Sequence, residues 1–186
     1  MSSSTRSKQS KAGSASKAAI GLHTGSKPEH KASTASGGDY RDVVVKTDEN
    51  QETTLRSLAA DGPIVVFLVP KANTPGCNRQ YESYTRHYDR FVALGVRCYV
   101  LSKDKPEALA RWRAKYQSRV PGLSDPAQTL IAKLKARKAP ANTIRSHFIF
   151  AEKTAEKLAE AIPVSPDKSC EMALKSLEEL GIAKKA

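Results

Sequence analysis

Six consecutive apolar residues, Ile64-Val65-Val66-Phe67-Leu68-Val69, closed by Pro70, constrain this chain more than any other stretch. The run has strand length and no polar alternation, which suits a central strand covered on both faces. Covering both faces takes helices, and the flanking sequence supplies them. Cys77 to Leu94 reads as a helix closed by Gly95 as its C′ residue. Val96 to Ser102 returns as a strand, and Pro106 to Tyr116 is a second helix with proline in its first turn. Gln128 to Leu134 gives a short helix, His147 to Phe150 a strand, and Pro166 to Leu180 the last helix. Upstream, Asp42 to Lys46 reads as a strand turned by Asp48-Glu49-Asn50 into Glu52 to Leu55. Strands alternating with helices predict an α/β fold with a mixed central sheet.

The chemistry is concentrated in Thr74-Pro75-Gly76-Cys77-Asn78-Arg79-Gln80. This stretch sets a cysteine just past a strand end, in the first turn of a helix. The unpaired N–H groups and the dipole of a helix N-terminus favour negative charge there. Such a setting favours a reactive thiolate. On position alone, a small residue packed at a strand–helix junction fits equally well.

Charge and cysteine usage bound the remaining options. No apolar run reaches the ~18 residues of a membrane span, and no secretory segment is evident, so a soluble intracellular protein is expected. The three cysteines, at 77, 98 and 170, form no CxxC pair and no local disulfide framework. No His-rich metal spacing or phosphate-binding glycine loop occurs, so neither a metal nor a nucleotide cofactor is expected. The net charge is +12. Residues 1–38 carry six Lys/Arg against the single Glu29, a net of five, along with ten serines. This Ser/Ala/Lys-rich stretch has no apolar period and is expected to be a disordered basic tail, with the folded domain running over 39–186. The tail suits nuclear import, with cytoplasm or an organelle such as the mitochondrion as alternatives. The densest basic group, Lys133-Leu134-Lys135-Ala136-Arg137-Lys138, reads as a solvated helix end and not as a nucleic-acid patch.

Pro70-x-x-x-Thr74-x-x-Cys77 resembles the peroxidatic motif of the peroxiredoxins, and Pro70-Lys71-Ala72-Asn73-Thr74-Pro75-Gly76-Cys77 resembles their bacterioferritin-comigratory or Q-type branch. Leu123-Ser124-Asp125-Pro126, Ala139-Pro140 and Ile144-Arg145-Ser146-His147-Phe148-Ile149-Phe150 are similar to the fungal nuclear thiol peroxidases of that branch. The resemblance covers roughly Gly38 to Leu180. It implies a thioredoxin-like fold and a thiol-dependent peroxidase acting on hydrogen peroxide and alkyl hydroperoxides. Cys77 would be the nucleophile, and Thr74 would present its hydroxyl to thiolate and peroxide. Pro70 would shield the pocket, and Arg145 would reach the sulfur from a neighbouring strand. No cofactor is implied. The expected partners are the peroxide and an external thiol such as thioredoxin or glutathione, on a monomer or weak homodimer with no membrane contact.

The chain departs from that branch at one position. A resolving cysteine often lies five residues after the first, and here that residue is Glu82. Cys98 falls in an apolar strand. Cys170 shares a helical stripe with Ala173, Leu174 and Leu177. Both read as core thiols, which makes the chain a one-cysteine enzyme. A redox-sensing or chromatin-associated nuclear binding protein that keeps the fold with weak or no turnover is the competing reading. Trp112 reads as a packed helix residue and His147 as a satisfied core residue.

Overall fold

The computed structural model describes residues 38–182. The expected tail, apart from Gly38, lies outside the described residues. A 3₁₀ turn at Tyr40–Asp42 is followed by β1 (Val45–Thr47), β2 (Glu52–Thr53), α1 (Leu55–Leu58), β3 (Ile64–Leu68), α2 (Pro75–Arg86) and α3 (Tyr88–Ala93). The chain continues through β4 (Arg97–Ser102), α4 (Pro106–Lys115), β5 (Gly122–Ser124), α5 (Thr129–Lys133), β6 (Arg137–Lys138) and β7 (Asn142–Thr143). It closes with β8 (Ser146–Phe150), β9 (Lys157–Ala161) and α6 (Ser169–Glu179).

Seven strands form one sheet in the order β2-β1-β5-β4-β3-β8-β9, and β6 and β7 form a separate small hairpin. β3, β4 and β5 run parallel, while β8 pairs antiparallel to β3. All five residues of β3 are buried, and alternate residues enter opposite layers. Val65 and Phe67 pack with α2, α4 and α6, where Tyr81, Tyr84, Leu109, Trp112 and Leu174 close the larger core. Ile64, Val66 and Leu68 face Leu55, Leu130 and Ile131 on the other side. Burying each such aliphatic or aromatic side chain stabilises by roughly 1.5–3 kcal/mol, so the unbroken apolar run is what places β3 at the centre.

The structure differs from the sequence reading at five places. The helix expected from Cys77 to Leu94 is two helices that meet at His87, whose ring Nδ1 lies 2.9 Å from the Ser83 carbonyl oxygen. That ring competes with the backbone for the helical acceptor, and the chain turns there. The first strand begins at Val45, because Asp39 accepts a hydrogen bond from the Arg41 amide and starts a 3₁₀ turn instead. The basic group at 133–138 is not a helix end as a whole. Only Lys133 lies in α5; Leu134 and Ala136 are buried, and Arg137 and Lys138 form β6. The last helix begins at Ser169 and not at Pro166. Finally, α1, β5, β7 and β9 were not expected. β5 is three residues long, and a Cβ at Gly122 would lie 2.9 Å from Leu109 Cβ, so α4 packs directly on its backbone. β9 is an edge strand, Lys157-Leu158-Ala159-Glu160-Ala161, in which four of the five residues are Lys, Glu or Ala, types with low strand preference.

Candidate functional site

β3 ends at Leu68, and the chain passes through Pro70 and a turn into α2. Thr74 occupies the N-cap, Pro75 the first helical position, and Cys77 the third. Thr74 makes no side-chain cap bond; its Oγ1 donates to the Lys71 carbonyl oxygen at 3.0 Å. Its only proton is spent on the turn, so the hydroxyl is not directed at the sulfur in this arrangement. The N–H groups of Gly76 and Cys77 belong to the first turn and have no partner within the helix, so the positive end of α2 lies at the thiol. Cys77 is nevertheless only 1% exposed.

The sheet brings the second charge. β8 pairs with β3 so that Ser146 lies opposite Leu68, which sets Arg145 beside the end of β3 and the start of α2. The Arg145 carbonyl accepts from the Val164 amide at 3.0 Å, fixing the backbone at that point. Its Nη2 donates to Cys77 Sγ at 3.4 Å and its Nη1 to Gln80 Oε1 at 2.6 Å. A Cβ on Gly76 would lie 3.3 Å from that same Nη2, so a larger residue would crowd the guanidinium.

Gln80 lies one helical turn beyond Cys77, on the same face, and is fully buried. Its Nε2 donates to Ser169 Oγ at 3.0 Å. Ser169 Oγ also lies 3.1 Å from the Tyr84 hydroxyl and 3.2 Å from His147 Nδ1. The guanidinium therefore ends a buried polar chain that joins α2, α6 and β8. Burial lowers the His147 pKa to about 4, so the ring is neutral near pH 7. Gln80 and Ser169 were missed in the sequence. The i, i+3 spacing from Cys77 was a signal for Gln80, whereas nothing local pointed to Ser169, about ninety positions away.

The other cysteines occupy a different setting. Cys98 on β4 is 1% exposed, and burial raises its thiol well above the ordinary range. Cys170 on α6 donates weakly to the Ser83 carbonyl at 3.7 Å, and burial pushes its pKa up to about 11. Trp112 stacks on Tyr81 with ring centres 4.2 Å apart and donates to Asn78 Oδ1 at 2.9 Å, which is a packing role. Among the described residues, no group of His, Cys, Asp and Glu is placed to hold a metal, and no helix is long and apolar enough to cross a membrane.

A sulfur held between a helix N-terminus and a guanidinium can carry negative charge and share it with an oxygen bound beside it. The chain as a whole is similar to known proteins. A model of the AhpC/TSA family matches residues 37–172. Peroxiredoxin bcp1 of Schizosaccharomyces pombe is 32% identical over 151 residues, covering 80% of this chain and 77% of that protein. Among solved structures, Xanthomonas campestris bacterioferritin comigratory protein, known for alkyl peroxide reduction, superposes with a TM-score of 0.71 at 20% identity. That match covers 76% of this chain and 93% of the other. Peroxidoxin BcpB from Mycobacterium tuberculosis gives 0.70 at 22% identity, covering 74% and 92%. The fold is thioredoxin-like, with a mixed sheet flanked by helices.

Proposed function

This chain belongs to the AhpC/TSA family and is a thiol-dependent peroxidase, and we propose that Cys77 is its reacting thiol, with Arg145, Thr74 and Pro70 completing the site. The observation that carries this assignment is the Arg145 guanidinium on Cys77 Sγ, 3.4 Å away, at the first turn of α2. The Cys77 thiolate attacks the terminal oxygen of the peroxide. An S–O bond forms, the O–O bond breaks, and the leaving oxygen departs as water or an alcohol once protonated. Arg145 and the first amides of α2 bind the negative charge while it spreads from sulfur to oxygen. Thr74 reaches that oxygen if its hydroxyl rotates away from the Lys71 carbonyl, and Pro70 limits access of water. Hydrogen peroxide and alkyl hydroperoxides are both taken as substrates; alkyl peroxide reduction is the activity of the X. campestris protein of the same fold.

An external thiol completes the cycle. It attacks the Cys77 sulfenic acid, an S–S bond forms, water leaves, and a second thiol releases Cys77. Support for an outside reductant comes from Glu82 at the local resolving position and from the burial of Cys98 and Cys170. The basic N-terminal stretch favours the nucleus as the place of work, and deleting residues 1–38 should then shift the protein toward the cytoplasm without loss of peroxidase activity.

A brief hydrogen peroxide pulse followed by a sulfenic-acid probe and peptide mass spectrometry tests the assignment. The label is expected on Cys77 alone, and added glutathione should replace it by a mixed disulfide. Equal labelling of all three cysteines would sink it. A Cys77–Cys170 or Cys77–Cys98 bond formed as fast as peroxide is consumed would show a two-cysteine cycle instead.

A further inference from the structure

Beside the reacting turn lies a cleft of about 470 Å³ lined by Pro70, Lys71, Thr74, Lys103, Pro140, Ala141 and Asn142. Its volume falls within the range of small-molecule sites. Pro70 and Thr74 line this cleft, and Thr74 also caps the helix that carries Cys77 three residues further on, so the cleft adjoins the reacting turn. The walls are apolar at Pro70, Pro140 and Ala141, while Lys71 and Lys103 bring two positive charges. Among the described residues, no Asp or Glu lines the cleft, and neither lysine has an ion-pair partner. Lys103 Nζ donates to the Ala141 carbonyl at 2.6 Å, which holds its charge at the wall without neutralising it. The nearest carboxylate in sequence, Asp104, is engaged instead by the Ala72 amide at 2.7 Å and the Ser102 hydroxyl at 2.6 Å.

We propose that this cleft binds a carboxylate-bearing small molecule that reacts at Cys77, its anionic end held by Lys71 and Lys103. The proposal rests on the assignment of Cys77 as the reacting thiol. Two sources share the chemistry: a fatty-acid hydroperoxide as oxidant, or a carboxylate-bearing thiol such as glutathione as reductant. Fixed charges lining a cleft raise the arrival rate of an oppositely charged ligand by roughly 10-fold or more at low salt. Screening removes most of that gain as the Debye length shrinks.

The test compares the wild type with the Lys71→Gln/Lys103→Gln double variant. Glutamine keeps an N–H for the Ala141 carbonyl at position 103, so the fold is preserved. Oxidation by hydrogen peroxide, which is uncharged, should stay within about twofold of wild type, because the two cleft charges do not steer a neutral molecule. If the oxidant is the anionic ligand, a fatty-acid hydroperoxide should react about 10-fold more slowly with the variant, and its methyl ester equally well with both. If the reductant is, glutathione should reduce the oxidised variant about 10-fold more slowly, while cysteamine, which is cationic, should lose nothing. Either defect should fade at high salt. A turnover-free arm uses Cys77→Ser protein titrated with octanoate and with S-methylglutathione, followed by nuclear magnetic resonance shifts of the cleft. At least one of the two should bind, and more weakly when both lysines are glutamine. Binding of neither probe, or equal losses for charged and uncharged reactants, would overturn the cleft assignment. A wild type inert to hydrogen peroxide would overturn the Cys77 assignment, and the binding arm would still decide whether the cleft takes carboxylates.

Discussion

Cys77, Cys98 and Cys170 belong to one continuous core cluster and are 1%, 1% and 0% exposed, respectively. Accessibility therefore does not distinguish them; their neighbours do. At the start of α2, the sulfur meets a guanidinium and unpaired amides of the first turn. In the layer between β4 and α6, the other two sulfurs lie among mainly apolar side chains of the same core, and burial holds both as neutral thiols. The same side chain, equally hidden, stands beside a guanidinium in one region and among apolar groups in the other. Burial becomes useful to chemistry only where the protein supplies its own replacement for water.

The strongest attempt to break that contrast exchanges the residues themselves. Cys77→Ser should abolish peroxide consumption. Cys98→Ala and Cys170→Ala should each leave the rate of Cys77 oxidation within about twofold, while costing roughly 1–2 kcal/mol of stability for the cavity left behind. Stopped-flow peroxide consumption and urea unfolding measure the two effects separately. Loss of the peroxide step in either alanine variant would move the chemistry out of the α2 turn.

Removing the cation should bring the first region closer to the second. Arg145→Ala is expected to slow the peroxide step by ~10²-fold, the scale of losing one preorganised donor to developing charge. Arg145→Lys should recover only part of it, since a point charge lacks the planar fork that reaches Sγ and Gln80 Oε1 together. An unchanged rate in Arg145→Ala would mean that the helix N-terminus alone activates Cys77.

The sequence made one half of this contrast readable and concealed much of what supports it. The apolar run at 64–69, the following proline and the cysteine in the next helical turn each have local signatures. They predicted β3 and the start of α2 closely. The burial of Cys98 and Cys170 was likewise predictable from strand and helix periodicity. What was not readable depends on contacts distant in sequence. Ser169 shows only as a serine near a helix start, and its partners Gln80, Tyr84 and His147 converge on it through the tertiary fold. The break at His87 was hidden for another reason. Helical periodicity continues through it, and the departure depends on one ring nitrogen meeting one carbonyl. The hydroxyl of Thr74 also escaped prediction, because a cap and a turn bond compete for one proton within the same few residues.

A smaller effect should follow from loosening the support of the cation. Ser169 Oγ receives the Gln80 amide N–H and so fixes which end of that amide faces Arg145. In Ser169→Ala that preference is gone, and a flipped amide would set its NH₂ against the guanidinium. The peroxide step should slow by up to about 10-fold, roughly the 1–1.5 kcal/mol of one hydrogen bond. Arg145→Ala/Ser169→Ala should be no slower than Arg145→Ala alone, because both changes act through the same guanidinium. Additive losses in a double-mutant cycle would instead assign Ser169 to general packing.

The mildest test concerns His147, which links the polar chain of the reactive region to the neutral core. Burial lowers its pKa to about 4 from an ordinary 6.5. Between those values the unfolded chain binds a proton that the folded chain refuses. Its contribution is therefore fully present above pH 6.5 and is lost as pH falls toward 4. The slope is at most about 1.4 kcal/mol per pH unit, and the total is on the order of 3 kcal/mol. Carboxylates also titrate at the acid end, so the wild-type curve alone does not isolate the ring. In His147→Gln the amide still offers a partner to Ser169 Oγ but takes up no proton, while the carboxylates remain. Urea unfolding of both proteins from pH 7 to pH 4.5 gives a difference curve in which the carboxylate contribution cancels. Wild type should lose stability relative to His147→Gln across that interval. Parallel curves would show that His147 accepts its proton within the fold, and that the polar chain behind Arg145 tolerates a second positive charge.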